Sequence, residues 1–152
     1  MKVLVTGARG QVGTELIQLG KKFDLQMLAT DREDLDITNQ KEVRDYISRN
    51  KPDIVINAAA YTAVDKAEQE TELAFSINRD GPSNLALSCA NYRIPLLHIS
   101  TDYVFDGMKE GSYDEQDQPN PKSIYGLSKL EGENAVKHHS PWRAELSGSI
   151  IW

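Results

Sequence analysis

A doubly wound α/β fold on a parallel sheet is what this sequence predicts, from three observations. Apolar β-branched runs alternate with helix-length stretches along the chain, and the first run passes straight into a glycine turn that opens a helix. The third run, Asp53-Ile-Val-Ile-Asn57, is continuously apolar, as a strand covered on both faces requires. At 152 residues the chain is one domain's worth of core. Residues 1–139 read as that domain and 140–152 as a divergent tail.

Lys2–Thr6 is the first strand and feeds into Gly7-Ala-Arg-Gly10-Gln-Val-Gly13, with a helix over Gln11–Lys22. Residues 25–30 form the second strand, ending at Asp31. Thr38 looks like the N-cap of a helix running to about Asn50, stopped by Pro52. After the third strand, one long helix is predicted over residues 71–92, with Leu73, Ile77, Leu85, Leu87 and Cys89 among its apolar or small members. Residues 95–100 are the fourth strand. The polar, turn-rich stretch 102–121 suits a loop that carries function, and a last helix spans roughly residues 123–137.

Composition narrows the partners. A net charge of −6 lacks the basic excess that a phosphate backbone requires, so no nucleic acid is expected. No run approaches membrane-spanning length, and the amino terminus lacks the longer apolar region of a signal peptide. Cys89 alone cannot form an internal disulfide, and the cytoplasm is the expected location. No metal is expected either. His98 falls in a strand as a core or strand-end residue, and His138 and His139 end a helix where cations suit the dipole.

The glycine turn has a chemical reading. Gly7 permits a tight exit from the strand, Gly10 lets backbone approach a pyrophosphate, and Gly13 lets the helix pack close to the sheet. The helix N-terminus then offers free N–H groups and partial positive charge to phosphate. The spacing departs from GxGxxG, and glycine is recruited to turns for steric reasons alone. Its position between strand and helix, with Asp31 ending the second strand where a ribose hydroxyl would lie, favours a dinucleotide. Arg32 could instead meet a 2′-phosphate, so NADPH and NADH both stay open. The small residues Ala58, Ala59 and Ala60 either pack tightly or leave room for that ligand.

Tyr125 and Lys129 stand four apart on the last predicted helix and so share a face. A phenol titrates near 10 in water, and a neighbouring ammonium would bring it toward the working range of an acid–base catalyst. By itself such a pair is more often a chance feature of an exposed helix. Ser100-Thr101, at the carboxyl end of the fourth strand, supplies a hydroxyl that can converge with the phenol on one carbonyl oxygen.

Taken together these residues resemble the short-chain dehydrogenase/reductase superfamily, whose fold is the NAD(P)-binding Rossmann fold. The strings TGARGQVG, DLDITN, NAAAYTAVDKAE, INRDGPSNLA, ISTDYVFDG and SIYGLSKLEGE resemble the dTDP-4-dehydrorhamnose reductase family of its nucleotide-sugar branch, from Met1 to about Lys137. The resemblance implies hydride transfer from NADPH or NADH to C4 of a dTDP-keto-sugar, dTDP-4-keto-6-deoxy-L-mannose, giving dTDP-L-rhamnose for cell-surface polysaccharide. It implies that Tyr125 protonates the C4 alkoxide, that Lys129 holds the nicotinamide ribose and lowers the phenol pKa, and that Thr101 bonds the substrate oxygen. Gly7, Gly10, Gln11, Val12, Asp31, Asp36, Ile37, Ala58, Ala59, Ala60, Tyr61 and Asn78 match positions around the cofactor, as do Tyr125 and Lys129. Asp102, Tyr103, Val104 and Phe105 match the substrate side, after Thr101.

The resemblance stops where the family continues with a buried strand and a smaller domain that grips the nucleotide-sugar. Here residues 140–152 read SPWRAELSGSIIW, and that carboxyl-terminal substrate domain is expected to be missing. Without its positioning energy, the chain is expected to bind cofactor weakly and to turn over little or no keto sugar. A sugar-nucleotide epimerase or dehydratase, a non-catalytic cofactor-binding regulatory subunit and a gene remnant are the competing readings. A homodimer stays open: some of these reductases place acidic residues, as Glu15 would be, on Mg²⁺ at a dimer contact, but the carboxyl-terminal ligands are expected to be missing with that domain.

Overall fold

The computed structural model describes residues 1–114 and 116–139, and the tail expected over 140–152 lies outside the described residues. Four parallel strands form one sheet: β1 (Lys2–Thr6), β2 (Gln26–Thr30), β3 (Ile54–Asn57) and β4 (Leu96–His98), in the spatial order β2-β1-β3-β4. Val3 pairs with Met27 on one side and Ile54 on the other, and Ile56 pairs with Leu97. The chain leaves β1 toward β2 and then returns to β1's other side with β3. The crevice where ligands sit in such sheets therefore opens above the carboxyl ends of β1 and β3.

Around the sheet run α1 (Gln11–Lys22), α2 (Gln40–Asn50), α3 (Val64–Ala67), α4 (Thr71–Phe75), α5 (Gly81–Tyr92) and α6 (Ile124–His139). Leu4, Val55, Val43, Ile47 and Leu85 are wholly buried together where α2 and α5 cover the sheet. Each such side chain contributes about 1.5–3 kcal/mol relative to exposure. Cys89 belongs to this core, and burial pushes its thiol up to about 12, which keeps it unreactive. The buried residues of α1 are Gly13 and Gly20, so this helix meets the sheet through its backbone. A Cβ at Gly20 would stand 2.2 Å from the Met27 sulfur. Among the described residues no helix is long and apolar enough to cross a membrane.

Three predicted elements differ, the fourth strand being Leu96–His98 in place of 95–100. The N-cap of α2 is Asn39, whose side chain accepts from the Glu42 N–H at 3.2 Å. Thr38 is occupied one turn earlier, its hydroxyl and N–H both donating to Asp36 Oδ1. The helix predicted over 71–92 is α4 and α5 joined by five π-helical residues, Ser76–Asp80. Pro82 explains the interruption, because it lacks the N–H that the Asn78 carbonyl would accept in an α-helix. α6 crosses at that carbonyl, and a Cβ on Gly132 would stand 2.1 Å from it. The short helix α3 has no counterpart in the predicted elements.

Candidate active site

The glycine turn is a backbone cradle at the switch point of the sheet. Gly7 has φ +68°, and a Cβ there would lie 2.6 Å from the Ala59 backbone on the neighbouring loop. A Cβ on Gly13 would stand 2.2 Å from the Gly7 carbonyl oxygen, so α1 can pack here only with glycine. Gly10 is different: a Cβ would meet only Gly7 O, at 3.3 Å, and would otherwise point into open space. Gly10 is also the N-cap of α1, and no side chain caps it. The N–H groups of the first turn are thus left for an external acceptor, as at an anion site.

Beside this turn lies a cavity of about 640 Å³. Gly7, Gly10, Gln11, Val12, Asp31, Asp36, Ile37, Ala58, Ala59 and Ala60 all line it. Asp31 takes one N–H bond on each carboxylate oxygen, from Arg9 and from Arg32, both at 3.0 Å, which fixes it at the rim. The two arginine side chains are largely exposed, Arg9 pairing with Glu33 at 3.1 Å and Arg32 loosely with Asp36 at 3.9 Å. A dinucleotide fits this donor set: uncapped N–H groups for phosphate, a rim carboxylate for a ribose and cationic side chains alongside. Thr62, Leu73, Ser76 and Ile77 also line the cavity, a role no sequence motif assigns them, since they come from the loop and helix after β3.

Tyr61 and Asn78 are not among the lining residues. The Asn78 side chain is wholly engaged as a strut, accepting from Tyr61 N–H at 2.8 Å and donating to Tyr61 O at 3.1 Å and Ser128 Oγ at 3.0 Å. It therefore ties the loop after β3 to α6. The Tyr61 hydroxyl donates to Glu70 at 2.6 Å, which holds the phenol proton and raises its pKa to about 12.

The second half of the site is α6 against the end of β4. Tyr125, Lys129 and Glu133 are buried on one face of α6, and Thr101 is buried opposite. The Thr101 hydroxyl accepts from Tyr103 N–H and donates to Asp102, and it lies near enough to the Tyr125 phenol to influence its titration. Burial raises that phenol above its ordinary value; the nearby Thr101 hydroxyl lowers it, and Asp102 and Tyr103 raise it further. The expected lowering by Lys129 does not appear, because the ammonium turns instead to the Ile99 carbonyl at 2.6 Å. Burial brings Lys129 itself down to about 8, against the opposing charge of Glu133.

Residues 102–105 divide. Asp102 and Tyr103 are exposed, with Tyr103 edge-on to Tyr125 at 5.4 Å between ring centres. Val104 is buried and so unavailable as an open substrate contact. Phe105 stacks on Tyr113 at 4.3 Å. Beneath both halves runs a polar chain not foreseen from sequence: Thr6 donates to Asn57 Oδ1 at 2.7 Å, and the Asn57 amide donates to His98 Nδ1 at 3.0 Å. His98 is a half-buried strand-end residue, as expected, and desolvation of its ring with the nearby Lys129 charge brings its pKa to about 3, so the ring stays neutral.

Comparison with known proteins agrees with this geometry. The family model described as the RmlD substrate binding domain matches residues 1–144. A dTDP-4-dehydrorhamnose reductase of Sinorhizobium fredii is 45% identical over the whole chain, which covers 51% of that relative. The solved dTDP-4-dehydrorhamnose reductase of Clostridium acetobutylicum superposes with a TM-score of 0.91 at 48% identity, over 93% of this chain and 50% of that one. That of Bacillus anthracis, in complex with NADP, gives 0.89 at 41% identity, over 91% of this chain and 50% of that one. The chain thus spans about half the length of the relatives it matches, and it belongs to the RmlD substrate binding domain family.

Proposed function

We propose that the chain is the nucleotide-binding and proton-donating part of a reductase that converts the C4 keto group of dTDP-4-keto-6-deoxy-L-mannose to the alcohol of dTDP-L-rhamnose. The observation that carries this reading is the common edge. The uncapped helix beside the Asp31-rimmed cavity and the Thr101–Tyr125 pair both sit at the carboxyl ends of strands of one sheet. The reductase names of the relatives and the NADP bound to the Bacillus anthracis enzyme support it.

In this reading Gly7, Gly10 and the first turn of α1 hold the pyrophosphate, Asp31 meets the adenosine ribose, and Arg9 or Arg32 receives a 2′-phosphate when NADPH is used. A bound nicotinamide dinucleotide, NADPH or NADH, supplies the hydride. Turning from Asp102, the Thr101 hydroxyl donates a hydrogen bond to the substrate oxygen as negative charge grows there, and Tyr125 delivers its proton to that oxygen. A raised phenol pKa keeps Tyr125 protonated at neutral pH, which is the form a proton donor needs. Lys129, buried and held by Ile99, keeps a cation at the end of β4 for the nicotinamide ribose.

Binding tests the reading directly. Titration with NADPH and NADH, followed by nucleotide fluorescence, is expected to saturate, and Gly10→Ala should weaken it about tenfold by placing a methyl in the phosphate path. Long incubation with NADPH and the keto sugar is expected to yield dTDP-L-rhamnose slowly, and Tyr125→Phe to yield none. A folded chain that saturates with neither nucleotide overturns the proposal.

A further inference from the structure

Glu133 is a buried carboxylate that the chemistry above does not use. It lies on α6 two turns beyond Tyr125 and one beyond Lys129, on the same buried face. Its Oε1 accepts a short hydrogen bond from the Ser100 hydroxyl, and the Lys137 ammonium, largely in solvent, approaches Oε2 at 3.5 Å. Burying a carboxylate is costly unless its charge and lone pairs are engaged, so its retention under α6 calls for a role.

The contacts of the strand end suggest that role. Two consecutive residues leaving β4 are each held by an α6 side chain, the Ile99 carbonyl by Lys129 and the Ser100 hydroxyl by Glu133, and Thr101 follows them beside Tyr125. We propose that Glu133 is a positioning residue for the reacting pair: locked by Ser100, its carboxylate fixes the end of β4 against α6 and holds the buried Lys129 side chain as an ammonium on the Ile99 carbonyl. The inference rests on the reading of Tyr125 and Lys129 as the reacting residues.

The charged and titratable groups around Lys129 make the direction of the effect clear. From β4 comes His98, neutral at ordinary pH; from α6 come Tyr125, Glu133 and, beyond it, Lys137. The turn at Asp102–Val104 contributes Asp102 and Tyr103, which act on the phenol. Arg79, in the π-helical segment, is taken up by Asp80 and Glu131. Burial disfavours the Lys129 cation, and Glu133 is the group that opposes this.

The test is an NMR titration of the Lys129 side chain in the full chain with no nucleotide or sugar present, using ¹³Cε-labelled lysine. The wild-type midpoint is expected near 8. Glu133→Gln keeps an acceptor for Ser100 but removes the charge, and is expected to lower the midpoint by about one unit. Ser100→Ala leaves the charge but frees the carboxylate, and is expected to lower it by less. An unchanged midpoint in a folded Glu133→Gln protein, whatever its melting temperature, would reduce Glu133 to a structural tie and overturn the proposal. Glu133→Asp offers a second readout, since a shorter carboxylate should restore part of the midpoint if charge is what matters. Loss of nucleotide binding in the wild type would sink the functional reading and leave this titration untouched, so the two can fail separately.

Discussion

The cradle between β1 and α1 is built from backbone, whereas the reacting line on α6 is built from side chains. In the cradle the recognising groups are peptide N–H groups, and the sequence contributes by what it omits: a Cβ at Gly7 or Gly13 collides with main chain that cannot move aside. On α6 the helix would tolerate many residues at 125, 129 and 133, and the sequence contributes particular functional groups, paid for by burying a cation and a carboxylate. Substitutions at Gly7 or Gly13 should therefore damage the fold, and those on α6 the chemistry.

The sharpest separation is expected from Tyr125→Phe. Loss of the phenol should lower any keto-sugar reduction by about 10²-fold or more while nucleotide affinity stays within about twofold, measured by product formation beside fluorescence titration. A fall in nucleotide affinity as large as the fall in rate would erase the contrast. Gly13→Ala should do the opposite. Pressing a methyl onto the Gly7 carbonyl is expected to cost about 3 kcal/mol in urea denaturation, with binding lost only as the protein unfolds.

Lys129→Met examines the buried cation. A lysine whose pKa falls from 10.5 unfolded to about 8 folded makes the folded state bind fewer protons between those values. Wild-type stability should thus rise with pH across that window, and below pH 8 the full penalty of the buried charge applies. The methionine variant should be more stable than wild type by about 3 kcal/mol below pH 8, the gap narrowing as pH approaches 10.5. A gap independent of pH would show that the ammonium is not the source of the penalty. The smallest effect belongs to Gly10→Ala, which should change stability by only about 0.5 kcal/mol, since its Cβ finds mostly open space. A large loss there would make the cradle uniform and break the distinction within it.

How far each region could be read from sequence follows the same division. Lys2–Thr6 and Gln11–Lys22 were legible to the residue, because β-branched runs and glycines act through local sterics. The ten cavity-lining positions inferred from the resemblance lie together because the β1 and β3 ends meet at the switch point. Asn78 and Tyr61 lie off that lining because their polar groups are consumed by a contact between residues far apart in sequence. The Lys129 to Ile99 bond, the Ser100 to Glu133 bond and the burial of Val104 are likewise products of how α6 crosses β4, which no local pattern encodes. Thr38 and Asn39 are both good caps, and the choice between them turned on the neighbouring Asp36.

The π-helical stretch at Ser76–Asp80 has a genetic consequence. A π turn is an α-helix carrying one surplus residue, so removing a single codon within it would restore regular winding at the cost of turning everything on one side by about 100°. Asn78 would then swing away from Tyr61 and Ser128, and the strut between the loop after β3 and α6 would be gone. In this stretch an in-frame deletion of three nucleotides should be harder to tolerate than most point substitutions, because the surplus residue itself holds the aim of the asparagine.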